Sequence, residues 1–312
     1  MIDERPLPEI VEQASKKLGM PLAPAPNVFL ARPGFKKNVA DATSAFAIED
    51  ADRRRQFVVL LSSPDYPDAV NGAVQRAAAA AARLPQRLAR HVLTPVLADR
   101  ACGRTYAVYA RYYPLSSNRG VRALEKRAIE NAVYGWLGEV ASATQTKIVD
   151  LKDVERCFIA PLDFLANESG LSAEVRAAAA RVRKQATHRD FAPTMILEHG
   201  DLWLGNILFP RRSPLFGGAG DFVIIDWGAS NAQGYPLIDL IRFFDSTSSD
   251  RQKLRRAIKC YNDESGIAAL DPELYALAAL GQLGLHRNQF PRDRYLSLAE
   301  KCAGLAREAR SR

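Results

Sequence analysis

Cysteine is scarce in this chain: 4 in 312 residues, Cys102, Cys157, Cys260 and Cys302, far apart and without a CxxC pair. A disulfide framework is therefore not indicated. With only 4 histidines, none clustered, a zinc site is not indicated either. The simplest home for such thiols is a reducing cytoplasm. Long hydrophobic runs are also missing. The alanine block at 77–82 and the apolar stretch at 274–285 are too short to cross a bilayer. The opening MIDERPLPEI puts acids and prolines where a secretory signal needs a basic start and an apolar core, so neither export nor a membrane partner is expected. No segment repeats at a fixed period.

Apolar residues are plentiful, at 47%, enough for a large core in one domain or two lobes. The formal charge of +8 favours contact with anions, such as nucleotide phosphates, nucleic acid or an acidic surface. The basic segments lack interleaved aromatics or a base-reading motif, so nucleic acid is not expected as a partner.

Turn and breaker residues divide the chain. An opening helix should end near Gly19, and the proline-rich PLAPAPNVFLARPG should hold a short strand at 27–31. Strands at 44–48 and 56–61 flank the polar EDADRRR, and strands at 92–97 and 105–109 flank ADRACGR. Between these hairpins lies an alanine-rich helix interrupted by Pro85. The first 110 residues thus read β-β-β-α-β-β. Residues 111–120, RYYPLSSNRG, read as a linker, and 121–312 as mostly helix, with long periods at 121–144, 171–186, 251–263 and 272–284. The tail LAREARSR reads as a solvated helix end.

One exception interrupts the helical part. HGDLWLGNILF, at 199–209, sets Asp201 and Asn206 five apart in an apolar, glycine-punctuated run. Removing a carboxylate and an amide from water costs stability unless both find partners. Downstream, Asp226 directly follows the apolar run 222–225, as a short buried strand ending in a carboxylate would. Taken singly, Asp201 could cap a turn, Asn206 could satisfy loop backbone and Asp226 could simply end a strand. Trp203 and Trp227 read as packing residues.

The order of elements and motifs resembles the aminoglycoside phosphotransferase and choline kinase group. His199, Gly200, Asp201 and Asn206 match its HGDxxxxN loop; Ile225, Asp226 and Trp227 match its IDW; Pro236, Asp239 and Leu240 match its P-x-x-D-L. HGDLWLGN is also similar to the corresponding loop of fructosamine kinases. The resemblance implies an α+β, two-lobed protein-kinase-like fold, with a small antiparallel β-sheet lobe over 1–110 and a helical lobe over 121–312. It implies an enzyme that moves a phosphoryl group from ATP or GTP, with Mg²⁺, onto a hydroxyl of a small molecule. In that scheme Asp201 takes the hydroxyl proton, Asn206 and Asp226 hold Mg²⁺, and His199 and Asp239 support the loop. The nucleotide base would lie near Tyr109, Arg111 and the tyrosines that follow. Phosphoryl transfer needs these groups because it requires a placed nucleophile and neutralised phosphate charge.

The chain departs from that pattern in its first part. A lysine should stand on the third strand and pair with a helix glutamate. Here the strand reads QFVVLLSSP, with Leu60, Leu61 or Ser62 at the lysine's place, and the helix after it has no glutamate. Three readings follow. Lys36 or Lys37, with Gly34 allowing close approach, could replace the lysine; the enzyme could work without it; or the protein could be a pseudokinase that binds or scaffolds. Residues 251–312 carry 12 Lys/Arg against 7 Asp/Glu, which points to a neutral or anionic acceptor such as a sugar, over a polycationic aminoglycoside.

Overall fold

In the computed structural model, residues 6–29, 43–188, 190–212, 215, 220–248, 250–267, 270–287 and 290–310 are described. Gly34, Lys36 and Lys37 lie outside them. The chain opens with α1 (Leu7–Leu18), whose Ile10 and Ala14, four apart on one face, are fully buried. Gly19 ends the helix at φ 65°, the left-handed cap that favours glycine. This helix covers a five-stranded antiparallel sheet in the order β1-β2-β3-β5-β4. Its strands are β1 (Leu22–Phe29), β2 (Ser44–Asp50), β3 (Gln56–Leu61), β4 (Leu97–Ala101) and β5 (Arg104–Ala110).

Strand period decides what each face of the sheet does. Phe57, Val59 and Leu61 alternate toward α1, where they pack with Phe46, Ile48, Tyr106 and Val108. The opposite face presents Ala47, Val58, Leu60, Ala107 and Tyr109, with Leu60 paired to Ala107 and Val58 to Tyr109. Two strand expectations need correction. β1 starts at Leu22 rather than 27, because an edge strand tolerates Pro24 and Pro26. The strand expected at 92–97 instead occupies Leu97–Ala101, because Cys102 and Gly103 both adopt positive φ (46° and 76°) and close a two-residue turn. The polar ADRA is thereby drawn into an edge strand. Val92 is buried elsewhere, bridging to Ile224.

Between β3 and β4 run α2 (Ala69–Ala82) and α3 (Gln86–Ala89), separated at Pro85. The rest is largely helical. It comprises α4 (Arg119–Thr144), β6 (Thr146–Lys147), α5 (Leu151–Val154), α6 (Ala160–Asn167), α7 (Ala173–Ala186), β7 (Thr194–Glu198), β8 (Ile207–Leu208), β9 (Val223–Ile224), β10 (Asn231–Gly234), α8 (Ile238–Thr247), α9 (Arg251–Ser265), α10 (Pro272–Leu285) and α11 (Arg292–Arg310). Asn118, Asp150, Ser172, Asp250 and Asp271 each cap a helix by accepting backbone N–H groups. The apolar stretch at 274–285 is explained by α10, whose residues from Leu274 to Gly281 are buried. The tail corrects another expectation: α11 buries Cys302, Ala303 and Ala306, and Arg310 pairs with Glu273. Among the described residues no helix is long and apolar enough to cross a membrane. None of the four cysteines is joined in a disulfide, and Cys157 and Cys302 are buried.

Candidate active site

Three short strands organise the polar residues. β7 lies between β10 and β6 and delivers His199 and Asp201 at its end. β8 and β9 form a two-stranded ribbon with Ile207 opposite Ile224 and Leu208 opposite Val223. One residue beyond the ribbon, the Ile225 N–H donates to the Asn206 carbonyl at 3.0 Å. The ribbon therefore puts Asn206 and Asp226 at the same end, although twenty residues separate them.

Asn206 is 5% exposed, and its Nδ2 donates to the Asp201 carbonyl at 2.9 Å. With the amide nitrogen engaged there, Oδ1 is the atom left to coordinate a cation. Asp226 is exposed and sits at φ 66°, a left-handed conformation uncommon for a non-glycine residue and frequent at functional sites. Both donors are hard oxygens, the chemistry that suits Mg²⁺.

The loop between these strands is held from several sides. The His199 and Gly200 N–H groups donate to Asp239 Oδ2 and Oδ1 at 2.6 and 3.0 Å. Asp239 is buried in the first turn of α8. Gly200 adopts φ +80°, and a Cβ there would stand 2.5 Å from the Ala229 carbonyl oxygen, so glycine is required. His199 Nδ1 accepts from the Asp201 N–H at 3.2 Å, which assigns the proton to Nε2, and that donates to the Ile225 carbonyl at 2.9 Å. The ring also packs edge-on against Trp227, 4.7 Å away. His199 thus ties the Asp201 loop to the strand end that carries Asp226.

Two ionisable residues around this loop, Arg242 and Glu198, carry no sequence motif. Arg242, on α8, forms an ion pair with Asp201 and donates to the Gly200 carbonyl. Its signal was an arginine inside the apolar IDLIRFF, three residues after Asp239. Burial raises the Asp201 carboxyl above its ordinary value, and Arg242 and His199 oppose that shift. Glu198, at the end of β7, accepts from the Tyr235 N–H at 2.8 Å. Burial first, and then the Asp239 charge, push its carboxyl up to about 8. A cavity of about 240 Å³ behind the loop is walled by Glu198, Gly200, Tyr235, Arg242, Leu280 and Gln282. A larger, open groove of about 620 Å³, lined by Arg255, Lys259, Asp271 and Arg310, touches none of these loop residues.

Trp227 is buried at 2% exposure, but Trp203 is 48% exposed and is not the packing residue expected. Its ring lies over Gly205, where a side chain would collide with it.

On the sheet side, Tyr109 is half-buried, and burial pushes its hydroxyl up to about 12. Arg111 donates to Gln56 at 2.6 Å and lies 5.4 Å over the Tyr113 ring. No hydrogen bond or ring contact joins Tyr109 or Arg111 to Asp201 or Asn206 among the described residues. The two parts are nevertheless stitched beside the ribbon. Tyr113 and Phe209 exchange backbone hydrogen bonds of 2.7 and 2.8 Å, and His91 and Leu93 bond to Ile224 at 2.6 and 3.1 Å.

At the end of β3, where the resemblance would set its lysine at Leu60, Leu61 or Ser62, Ser62 carries a hydroxyl. Thr105 Oγ1 donates to the Pro67 carbonyl at 2.9 Å, so Ser62 Oγ donates to Thr105 across 2.8 Å. Ser62 in turn accepts from the Val70 N–H at 3.0 Å, and Thr105 from the Asn71 N–H at 3.3 Å. A neutral network therefore ties the end of β3 to the start of α2.

No protein-family model matches the sequence, and comparison with curated proteins found no match. Solved structures do match. A candidate fructosamine-3-kinase from Haemophilus somnus 129PT superposes with a TM-score of 0.53 at 11% identity, over 95% of this chain and 96% of that one. The spectinomycin phosphotransferase APH(9)-Ia, solved with ADP and spectinomycin, gives 0.50 at 15% identity, over 97% and 98%. An APH(2″) protein solved with GDP and kanamycin gives 0.51 at 14% identity, over 96% and 98%. At these identities the likeness is one of fold, and the chain has the α+β, kinase-like fold of these phosphotransferases.

Proposed function

We propose that the protein is a Mg²⁺-dependent phosphotransferase that moves the γ-phosphoryl group of ATP or GTP onto a hydroxyl of a small molecule. The observation that carries this reading is the convergence of Asp201, Asn206 and Asp226 through the β8–β9 ribbon and the His199 bridge. The fold shared with structures solved with ADP or GDP and a small molecule supports it. Residues 1–110 would cover the nucleotide, with 111–120 as the linker and 121–312 supplying the chemistry. Tyr109 and Arg111 would border the nucleotide base.

In this scheme Asp201 accepts a hydrogen bond from the acceptor hydroxyl and takes its proton as the new oxygen–phosphorus bond forms. The bond from the γ-phosphorus to the bridging oxygen breaks, and the nucleoside diphosphate leaves. Asn206 Oδ1 and Asp226 would hold Mg²⁺, which supplies positive charge against the phosphates when bound. Arg242 beside Asp201 disfavours a polycationic acceptor and suits a neutral or anionic one, such as a sugar.

A second reading is a non-catalytic nucleotide-binding protein of the same fold, located, like the first, in a reducing cytoplasm. It is favoured by the hydroxyl network at Ser62 and by the apolar side chains of Ala47, Val58, Leu60 and Ala107 beside one another on the sheet. Thermal-shift titration with ATP or GTP and Mg²⁺, of the parent and Asp226→Ala, tests the site, because a ligand of the folded state raises apparent stability by mass action. A magnesium-dependent shift lost in Asp226→Ala supports it. No shift at millimolar nucleotide overturns the phosphotransferase reading, and a shift without turnover of any hydroxyl acceptor favours the second.

A further inference from the structure

The Asp201 loop is gripped by two side chains from one helix. Asp239 and Arg242 are three apart on α8 and so leave the same face. Asp239 takes the N–H groups of His199 and Gly200, while Arg242 takes the outer side of the same turn. Its Nη1 donates to the Gly200 carbonyl and its Nη2 to Asp201 Oδ1. The guanidinium thus spans a backbone carbonyl and the next residue's carboxylate. The arginine side chain is 14% exposed, that of Asp201 40%. Asp201 Oδ2 accepts no hydrogen bond among the described residues.

We propose that Arg242 is a positioning residue: its planar fork locks the Asp201 carboxylate by Oδ1 and leaves Oδ2 as the oxygen offered to the acceptor. This rests on the phosphotransferase reading. A carboxylate can rotate about its last side-chain bond, and proton transfer requires its oxygen within hydrogen-bond reach of the hydroxyl. One end held on a rigid helix removes that rotation. A lysine cannot substitute, because a single ammonium lacks the flat pair of donors that reaches two acceptors in one plane. The Gly200 bond serves the same end by registering the guanidinium against the loop backbone.

The test uses the full chain with Mg²⁺–ATP and water as the acceptor. In that reaction the γ-phosphorus exchanges its bridging oxygen for the water oxygen, giving ADP, phosphate and a proton. Arg242→Ala should lower kcat by about 10²-fold while the KM for ATP stays within about twofold. Arg242→Lys should stay low, and guanidinium ion at non-denaturing concentration should restore part of the loss in Arg242→Ala. In an Asp201→Asn background, Arg242→Ala should have no further effect on kcat. An equal loss in both backgrounds, or a rise in KM alone, overturns the proposal and leaves Arg242 a structural anchor. Failure of the broader reading appears differently, as a parent that neither binds nor hydrolyses Mg²⁺–ATP. The lock is then judged on urea unfolding of the same four variants. Coupling of about tenfold or more in the folding equilibrium between positions 201 and 242 supports it, and additive effects overturn it.

Discussion

Asp239 receives the Gly200 N–H at 3.0 Å from a helix that begins 38 residues later in the chain. That bond, with the partner bond from His199, sets the conformation of the turn that carries Asp201. Asp239→Asn keeps the shape but turns one acceptor into a donor facing an N–H group. It should destabilise the fold by about 1–3 kcal/mol, read by urea unfolding. Gly200→Ala should cost at least as much and also lower nucleotide-dependent turnover, because the backbone is left-handed there and Ala229 blocks the new methyl.

Glu198 gives a pH dependence with a definite sign. Its carboxyl rises from 4.5 to about 8 in the folded chain, chiefly through burial. Between those values the folded state binds more protons than the unfolded state, so stability falls as pH rises through the window. Glu198→Gln keeps an acceptor for the Tyr235 N–H and removes the titration. Its unfolding free energy should decline less than the parent's from acid to pH 8, as measured by urea unfolding at several pH values. Parallel curves for the two proteins would contradict this.

The tryptophans should separate cleanly. Trp203 is 48% exposed, and Trp227 is 2% exposed against His199 and Trp136. Trp203→Ala should change stability by no more than about 0.5 kcal/mol, as surface substitutions do. Trp227→Ala should cost about 3–5 kcal/mol through the cavity it opens. Acrylamide quenching of the parent should show one accessible component that Trp203→Phe removes.

How much of this was legible depended on the range of each signal. Caps, breakers and strand alternation are local, so helix ends at Gly19 and Pro85 and the strands read at 44–48, two residues short of β2, and at 56–61 follow directly from neighbouring residues. The polar groups Asp201, Asn206, Asp226 and Asp239 stood out because each interrupts an apolar run. Arg242 did not, because a basic residue on a helix ordinarily faces water, and only the packing of α8 under the loop turns it inward. β4 was misplaced because turn geometry at Cys102 and Gly103 outweighed the low strand propensity of ADRA. α6 gives little periodic signal because it is only eight residues long, and α11 shows only its end because its small buried residues Ala299, Cys302, Ala303 and Ala306 are spaced among charged ones; Trp203 reads as packing because an aromatic in an apolar run usually packs inward.

Ser62 is one of the three positions, with Leu60 and Leu61, at which the resemblance would set a lysine. It is 0% exposed, with its hydroxyl donating to Thr105 and accepting from Val70. Ser62→Ala leaves the Val70 N–H without its acceptor and should cost about 1–3 kcal/mol. Ser62→Lys puts an ammonium into a buried site with no glutamate on α2 to receive it. An unpaired buried charge costs on the order of 3–5 kcal/mol, so this variant should be the less stable of the two. Mg²⁺–ATP should recover little of that loss. A Ser62→Lys protein that keeps parental stability would show the opposite, that the site accepts the charge and the hydroxyl network is dispensable.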